Sequence, residues 1–427
     1  MKTLRHLDPS TSFRAGKAQC KQAQGRPLRQ AQGKLLRHIC LLVFVFLVVN
    51  ASASDEKLAF RSEQRKGANG DGGKNPEVWF RSAGELGLQF VRLSPVTWQS
   101  AGRDFLLGNA DDFTGIEPAD LNKLEQVLDI AQRHNVKIVL TMFSLPGARY
   151  RQLNDYKFDY RLWTDERFQQ QALAFWRELA QQLKDHPAIV AYNPLNEPHP
   201  ARKDGFESGN TEGFEEWLWK NRDTPADLNR FNHRVVEAIR QVDSQTPILL
   251  DCWFHAAPEG FGYLMLVKDD RILYSFHFYT PWNYTTYRVN KERFSYPNAM
   301  PVGWSEETKQ WTSAGLRRCI RPVIEWAKRY NIPSEAIVVG EFGCDRRVGG
   351  AKKYLNDLVA IFNEHRWHWA FYSYRSPDWD GMDYELGVEK LGWKYWQARE
   401  QGKEHEELIR RRDNPLWDVF KREFAKK

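Results

Sequence analysis

The stretch "AIVAYNPLNEPHP", residues 188–200, decides how this chain folds. A short apolar run leads into a segment punctuated by prolines, with Asn196 and Glu197 between two of them. The run reads as a strand that ends just before a carboxylate. Behind it lies "ERFQQQALAFWRELAQQLKDH" (166–186), a helix by its apolar spacing, closed by Pro187. A helix followed by a buried strand with an acid at its tip is the unit from which the rest can be read.

That unit recurs along the chain. Strands are expected at "LQFVRLS" (88–94), "VKIVLTMFS" (136–144), "AIVAYNPLN" (188–196), "PILLDCW" (247–253), "ILYSFHFY" (272–279), "AIVVGEFG" (336–343) and "WAFYSYR" (369–375). A first strand is placed near "EQRKGAN" (63–69). Helices are expected at "PEVWFRSAGELG", at 117–135, 166–186, 225–243 and 315–331, at "AKKYLNDLVAIFNEHR", and at "PLWDVFKREF". Strands that are apolar throughout and separated by helices suggest a parallel sheet covered on both faces. Eight such units in one chain fit an α/β fold of the closed (β/α)8 TIM-barrel type, a single domain with long βα loops at 200–223 and 281–310. The open doubly wound sheet is the alternative, but it wants a glycine-rich first turn that is not evident.

Composition narrows the partners. The formal charge is +7, and residues 1–53 hold nine Lys and Arg against one Asp. The remainder is close to neutral, which offers no electrostatic argument for nucleic acid. The run "ICLLVFVFLVV" (39–49), followed by "NASAS", reads as a secretory signal over about 34–53 with cleavage after Ala53. It is short for a membrane span, which takes about 20 residues; an uncleaved anchor is the alternative. Before it stands an eight-residue repeat, "QAQGRPLR" (22–29) and "QAQGKLLR" (30–37), of low complexity. The expected layout is a basic leader with signal peptide over 1–53 and a catalytic domain over 54–427, secreted or periplasmic, with its true start near residue 34. Beyond the leader, Cys252, Cys319 and Cys344 allow one bridge at most. No Cys/His cluster has zinc-ligand spacing and no glycine loop suits a phosphate. Neither a metal nor a cofactor is expected, and the protein is expected to be a monomer. Seventeen Trp, 16 Tyr and 25 Phe supply core mass and suit a cleft that stacks on flat ligand faces.

In a barrel of this kind the C-terminal strand ends carry the chemistry. Those ends hold Arg92, Asn196 with Glu197, Asp251 with Trp253, His277 with Tyr279, Glu341, and Tyr372 with Tyr374. Two glutamates thus face one bowl from the fourth and seventh strands. Paired carboxylates are what glycosidic cleavage needs, one protonated to assist the leaving oxygen and one ionised. Arg92 is expected to hold Glu341 charged, and proximity to Glu341 to hold Glu197 protonated. Each residue also has a plainer reading: a helix-capping acid for Glu197, a structural ion pair for Arg92, a hydrogen-bonded core histidine for His277. Most loop tryptophans pack on their own scaffold, and Trp98, Trp253, Trp282 and Trp379 are candidates for a sugar-stacking floor.

Taken together, "VRLS", "NPLNEPHP", "SFHFYTP" and "VVGEFG" resemble glycoside hydrolase family 5, the cellulase-like retaining glycosidases, over roughly residues 63–423. The resemblance implies that Glu197 is the acid/base and Glu341 the nucleophile. It implies that Asn196 binds the hydroxyl beside the reacting carbon, that Arg92 and Tyr279 orient Glu341, and that His277 lies beside the acid/base or the sugar. Two departures stand out. The stretch after the third strand, "TMFSLPG", lacks the family's histidine, and Tyr372 stands where a tryptophan usually stacks the sugar. Tyr372 or Trp379 is then read as its replacement. The expected partner is an oligo- or polysaccharide or a glycoside, β-linked. The alternatives are a carbohydrate-binding barrel without catalysis and a metal-dependent barrel hydrolase, the latter wanting a His-x-His pair that "EQRKGAN" does not have.

Overall fold

The computed structural model describes residues 57, 59–98, 102–302, 307–376 and 380–425. The leader and signal expected over 1–53, and Trp379, lie outside the described residues. Ala51–Lys427 form one compact unit. Its centre is a closed barrel of eight parallel strands. These are β1 (Lys66–Gly70), β2 (Phe90–Leu93), β3 (Lys137–Thr141), β4 (Ile189–Asn193), β5 (Ile248–Asp251), β6 (Ile272–Phe278), β7 (Ile337–Phe342) and β8 (His368–Phe371). Each strand pairs with its neighbours in chain order, and β8 closes on β1. This is the (β/α)8 barrel expected from the alternation.

The outer helices follow from local chemistry. Helix α1 (Pro76–Leu86) starts at Asn75, whose side chain accepts from the Val78 N–H, and stops at Gly87 in a left-handed conformation. It turns Trp79, Phe80 and Ala83 to the barrel. Helices α2 (Pro118–Arg133), α3 (Glu166–Leu183), α4 (Leu228–Arg240), α5 (Arg321–Arg329), α6 (Ala351–Glu364) and α7 (Asp418–Phe424) complete the ring. The helix expected over 315–331 is two, Ser313–Cys319 and α5, because Pro322 sits in the first turn of the second. Between β5 and β6 there is no long helix; a 3-10 segment, Pro258–Tyr263, packs on α5 through Phe261 and Trp326, 5.1 Å apart. The loop at 200–223 carries a short helix (Phe214–Lys220) and the loop at 281–310 part of an antiparallel ribbon (Asn298–Pro301 with Thr308–Trp311). Among the described residues no helix is long and apolar enough to cross a membrane.

The barrel floor is closed by Phe60, which packs edge-on to Phe90 at 5.3 Å and stacks on His368 at 5.2 Å. Inward side chains of the strands, among them Val139, Leu249, Leu273 and Val338, complete this plug. The opposite end is left open for the site.

One irregularity aims the site. Phe276 pairs with Val339 but His277 pairs with Glu341, so Gly340 is an extra residue in β7. The other neighbour agrees: Trp369 pairs with Val339 and Phe371 with Phe342. Side chains alternate along a strand, so a single added residue reverses every side chain beyond it. Val338 faces the barrel interior and Val339 the outer core. Strict alternation would send Glu341 outward with Val339. The bulge turns Glu341 inward and Phe342 outward, where it meets Phe362 at 5.1 Å. Only glycine fits there: a Cβ on Gly340 would lie 2.6 Å from Ser275 Oγ and 3.0 Å from His277 Nε2.

Candidate active site

Arg92, pointing into the barrel from β2, organises the open end. Its side chain is almost wholly enclosed, so its charge needs partners. It donates from Nη1 to Glu341 at 2.6 Å and to Asn69 at 3.1 Å. From Nη2 it donates to Asn193 and Asn196, each at 2.7 Å, and to Asp251 at 3.2 Å. Nε also reaches Asn193, at 3.2 Å. A guanidinium has five N–H groups in a fixed fork, and all three nitrogens are engaged here. The asparagines are fixed in turn: Asn69 donates to the Gly340 carbonyl at 2.9 Å and Asn193 to the Leu249 carbonyl at 2.9 Å.

Glu341 receives Arg92 on one oxygen and the Tyr279 hydroxyl on the other, at 2.9 Å. Burial pushes its carboxyl above the ordinary glutamate value; His277, Arg92 and the Tyr279 hydroxyl pull the other way, and Glu197 adds to the rise. The donors therefore let a deeply placed carboxyl ionise, although Arg92 does not by itself keep the pKa low.

Glu197 stands across from it, partly exposed, just beyond β4. Its backbone is left-handed, φ 49°, an unusual state for a residue with a side chain. The conformation is held by the Glu197 N–H, which donates to Asp251 at 3.1 Å, and by the Asn196 N–H, which donates to the Met142 carbonyl at 2.8 Å. His277 Nδ1 lies 2.8 Å from Glu197 Oε1, and its Nε2 lies 3.6 Å from Asp251. Burial opposes a charge on His277, but Glu341, Asp251 and Glu197 outweigh it and raise its pKa. Glu197, His277 and Glu341 each offer an atom within 4.8 Å of the others. Such a trio is a conceivable cation site, yet Glu341 already carries a guanidinium and a hydroxyl donor, which disfavours a metal there.

The expected residues Arg92, Asn196, Glu197, His277, Tyr279 and Glu341 thus converge on one bowl. Tyr372 is half-buried beside them; burial and the nearby Glu341 raise its hydroxyl pKa. Tyr374 turns away and bonds Ser82 at 2.7 Å. Trp253 is a correction. It is fully enclosed, 5.2 Å from Phe214, so it forms part of the core beneath the site and no sugar can stack on it. The loop after β5 doubles inward through three left-handed residues, Phe254, His255 and Ala256, which is why a loop tryptophan ends up buried.

Three side chains were not singled out in the sequence. Asn69 and Asn193 are polar residues inside otherwise apolar strands, which is the signal that could have marked them. Tyr150, in the loop after β3, packs edge-on to Phe143 at 5.1 Å. Burial raises its hydroxyl pKa, and the charges of Glu197 and Glu341 add to the rise. It comes from the segment where the family's histidine is missing.

An enclosed arginine and two facing glutamates at the C-terminal mouth of a (β/α)8 barrel define a glycosidase, a hydrolase of O-glycosyl bonds. The Cellulase (glycosyl hydrolase family 5) family model matches residues 62–378, and the chain belongs to that family. It is 26% identical over 322 residues to a beta-xylosidase of Phanerodontia chrysosporium, across 73% of this chain and 55% of that protein. It is 22% identical over 327 residues to endoglucanase C of Acetivibrio thermocellus, across 69% of this chain and 82% of that protein. The structure of Thermotoga maritima Cel5A in complex with cellobiose shares the fold, with a TM-score of 0.56, 18% identity, and coverage of 85% of this chain and 98% of that one.

Proposed function

We propose that the chain is a retaining glycoside hydrolase that cleaves a β-linked glycan or glycoside by double displacement. The observation that carries this is that one oxygen of the Glu197 carboxyl and one of the Glu341 carboxyl lie within 4.8 Å of each other. Retaining enzymes hold their carboxyls about 5–5.5 Å apart, whereas inverting ones leave about 6.5–9.5 Å for a water. Glu341 attacks the anomeric carbon and forms a glycosyl ester. Glu197 gives its proton to the departing oxygen, then takes one from the water that frees the sugar. Arg92 and Tyr279 hold Glu341 in line, and His277 holds Glu197. Asn196, already fixed by Arg92, offers its amide N–H to the hydroxyl next to the reacting carbon. Tyr372 takes the position beside the sugar ring. The names of the relatives, a beta-xylosidase and endoglucanases, support a β-linked substrate. The basic leader and apolar run support export with removal of residues 1–53.

The test is Glu341→Ala, assayed on an activated aryl β-glycoside. Turnover should vanish, and azide should restore part of it through a glycosyl azide of inverted configuration. Near-normal turnover without azide would reject the assignment. For Glu197→Gln, substrates with poor leaving groups should slow far more than activated ones; equal losses would reject an acid role.

A further inference from the structure

Asp251, the last residue of β5, is fully enclosed and touches both halves of the site. Its Oδ2 accepts from Arg92 Nη2 at 3.2 Å and from the Glu197 N–H at 3.1 Å. The same oxygen lies 3.6 Å from His277 Nε2. That is long for a hydrogen bond but close for two opposite charges. The other oxygen, Oδ1, has no partner among the described residues. A buried carboxylate with an unused oxygen is costly unless a further positive charge stands near it.

The His277 ring is placed to carry that charge. Its Nδ1 lies 2.8 Å from Glu197 Oε1 and 3.8 Å from Glu341 Oε2. Its Nε2 has no hydrogen-bond partner among the described residues and faces Asp251. A lone pair on Nε2 would sit buried against a carboxylate, whereas a proton there is attracted to it. Arg92 is shared by Glu341 and Asp251, so it compensates one of those two negative charges and leaves the other. An imidazolium at His277 closes the balance. His255, in the loop after β5, does not supply that cation: burial, then His199 and Arg202, hold its ring well below the ordinary pKa. For His277 itself burial opposes the charge and Arg92 adds to that, but Glu341, Asp251 and the bond to Glu197 raise its pKa overall.

We propose that Asp251 is a positioning residue for the acid/base: it keeps the His277 ring doubly protonated, so that Nδ1–H donates to Glu197 Oε1. The inference rests on the glycosidase reading above. Glu197 then carries its own proton on Oε2. In the first step that O–H bond breaks and the proton goes to the glycosidic oxygen. The bond from this oxygen to the anomeric carbon breaks as Glu341 bonds the carbon. The ring transfers no proton, and its charge-assisted bond to Glu197 strengthens as the carboxylate forms. In the second step Glu197 takes a proton from the attacking water and returns to its first state. Asp251 also accepts from the Glu197 N–H, so one side chain fixes both the backbone and the protonation of the acid/base pair.

Asp251→Asn isolates the charge, because an amide oxygen can keep the bonds from Arg92 and from the Glu197 N–H. The ring nitrogens of His277 are followed by nitrogen-15 NMR of the full chain across a pH titration, assigned by the signals that vanish in His277→Gln. The unaltered chain should show a doubly protonated ring with a midpoint above the ordinary 6.5. Asp251→Asn should lower the proton affinity of the ring by about tenfold or more. A midpoint at or below 6.5 in the unaltered chain overturns the assignment with no change at position 251, and so does an unmoved midpoint in Asp251→Asn. Ser275→Ala is the control, since Ser275 Oγ is without a partner and borders the same point beside Gly340 as His277 Nε2. A fall with Ser275→Ala as large as with Asp251→Asn also overturns it.

Kinetics give a second readout, the kcat/KM for aryl β-glycosides with good and with poor leaving groups. In Asp251→Asn the poor leaving group should lose about tenfold more than the good one. With His277→Gln already present, Asp251→Asn should widen that gap by no more than about twofold, since the two residues act in series. Equal losses, the mark of a merely structural role, overturn the proposal, as does a full gap in the His277→Gln background. If the unaltered chain hydrolyses neither glycoside, the hydrolase reading falls, and the ring titration alone decides whether Asp251 holds the His277 proton.

Discussion

Arg92 Nη1 lies 2.6 Å from the Glu341 carboxylate, and the two side chains are 1% and 7% exposed. An ion pair this enclosed is costly to assemble and far more costly to break on one side. Here the cost is offset by the ring of acceptors around the guanidinium, which also fixes the residues next to Glu197. Arg92 therefore couples the two carboxyls through Asn196 and Asp251 rather than serving Glu341 alone.

Removing that hub should damage both stability and function. Arg92→Met leaves Glu341 and Asp251 buried without their cation, and should destabilise the fold by about 3–5 kcal/mol. Arg92→Lys cannot reproduce the fork and should lose roughly a hundredfold or more in kcat. Urea denaturation and aryl-glycoside kinetics measure the two effects. A lysine variant with ordinary kcat would contradict the hub.

The Tyr279 hydroxyl lowers the pKa of Glu341 against the pull of burial. In the wild type the acid limb of kcat/KM should report a pKa above the ordinary glutamate value of 4.5. Tyr279→Phe removes a donor to the ionised form, so the acid limb should move to higher pH. An unmoved limb, or one displaced to lower pH, would count against this role.

Gly340→Ala inserts a methyl group against Ser275 and His277 at the bulge that aims Glu341. Displacements of about 1 Å at a reacting group can cost around a hundredfold in rate. The variant should fold and lose kcat on that scale, with KM changed far less. Wild-type kcat would mean that the bulge tolerates a Cβ.

His368 supplies a stability prediction away from the site. Its Nδ1 accepts from the Arg65 N–H at 2.8 Å and its Nε2 contacts the Glu335 carbonyl at 2.7 Å, so the neutral ring is the one the fold accommodates. Burial lowers its pKa from 6.5 to about 4. The unfolded chain takes up the proton near 6.5 and the folded chain does so only near 4. Stability from this group is complete above the upper value and falls with pH across that window, by about 3 kcal/mol. His368→Gln should show a shallower loss between pH 7 and 4 in urea titrations. Parallel curves for the two proteins would refute it.

The strand–helix alternation was legible because buried parallel strands are short apolar runs, and β2 through β7 lie where those runs are. The last strand is shorter than expected, stopping at Phe371. The convergence of Arg92, Glu197, His277, Tyr279 and Glu341 was legible because parallel strands bring their C-terminal ends to one mouth. The bulge at Gly340 was not, since register depends on both neighbouring strands. Tyr150 escaped notice because its position depends on how a long loop folds back. Trp253 was misplaced for the complementary reason: sequence adjacency to a strand end does not say whether a loop turns outward or in.

The central claim is that Glu341 becomes covalently bound to the sugar. The most direct measurement is peptide mass mapping after incubation with an activated 2-deoxy-2-fluoro β-glycoside, which slows breakdown of a glycosyl ester. The account predicts one added sugar per chain, on the peptide that contains Glu341. Label on Glu197, or product release with inverted configuration and no ester, would contradict it.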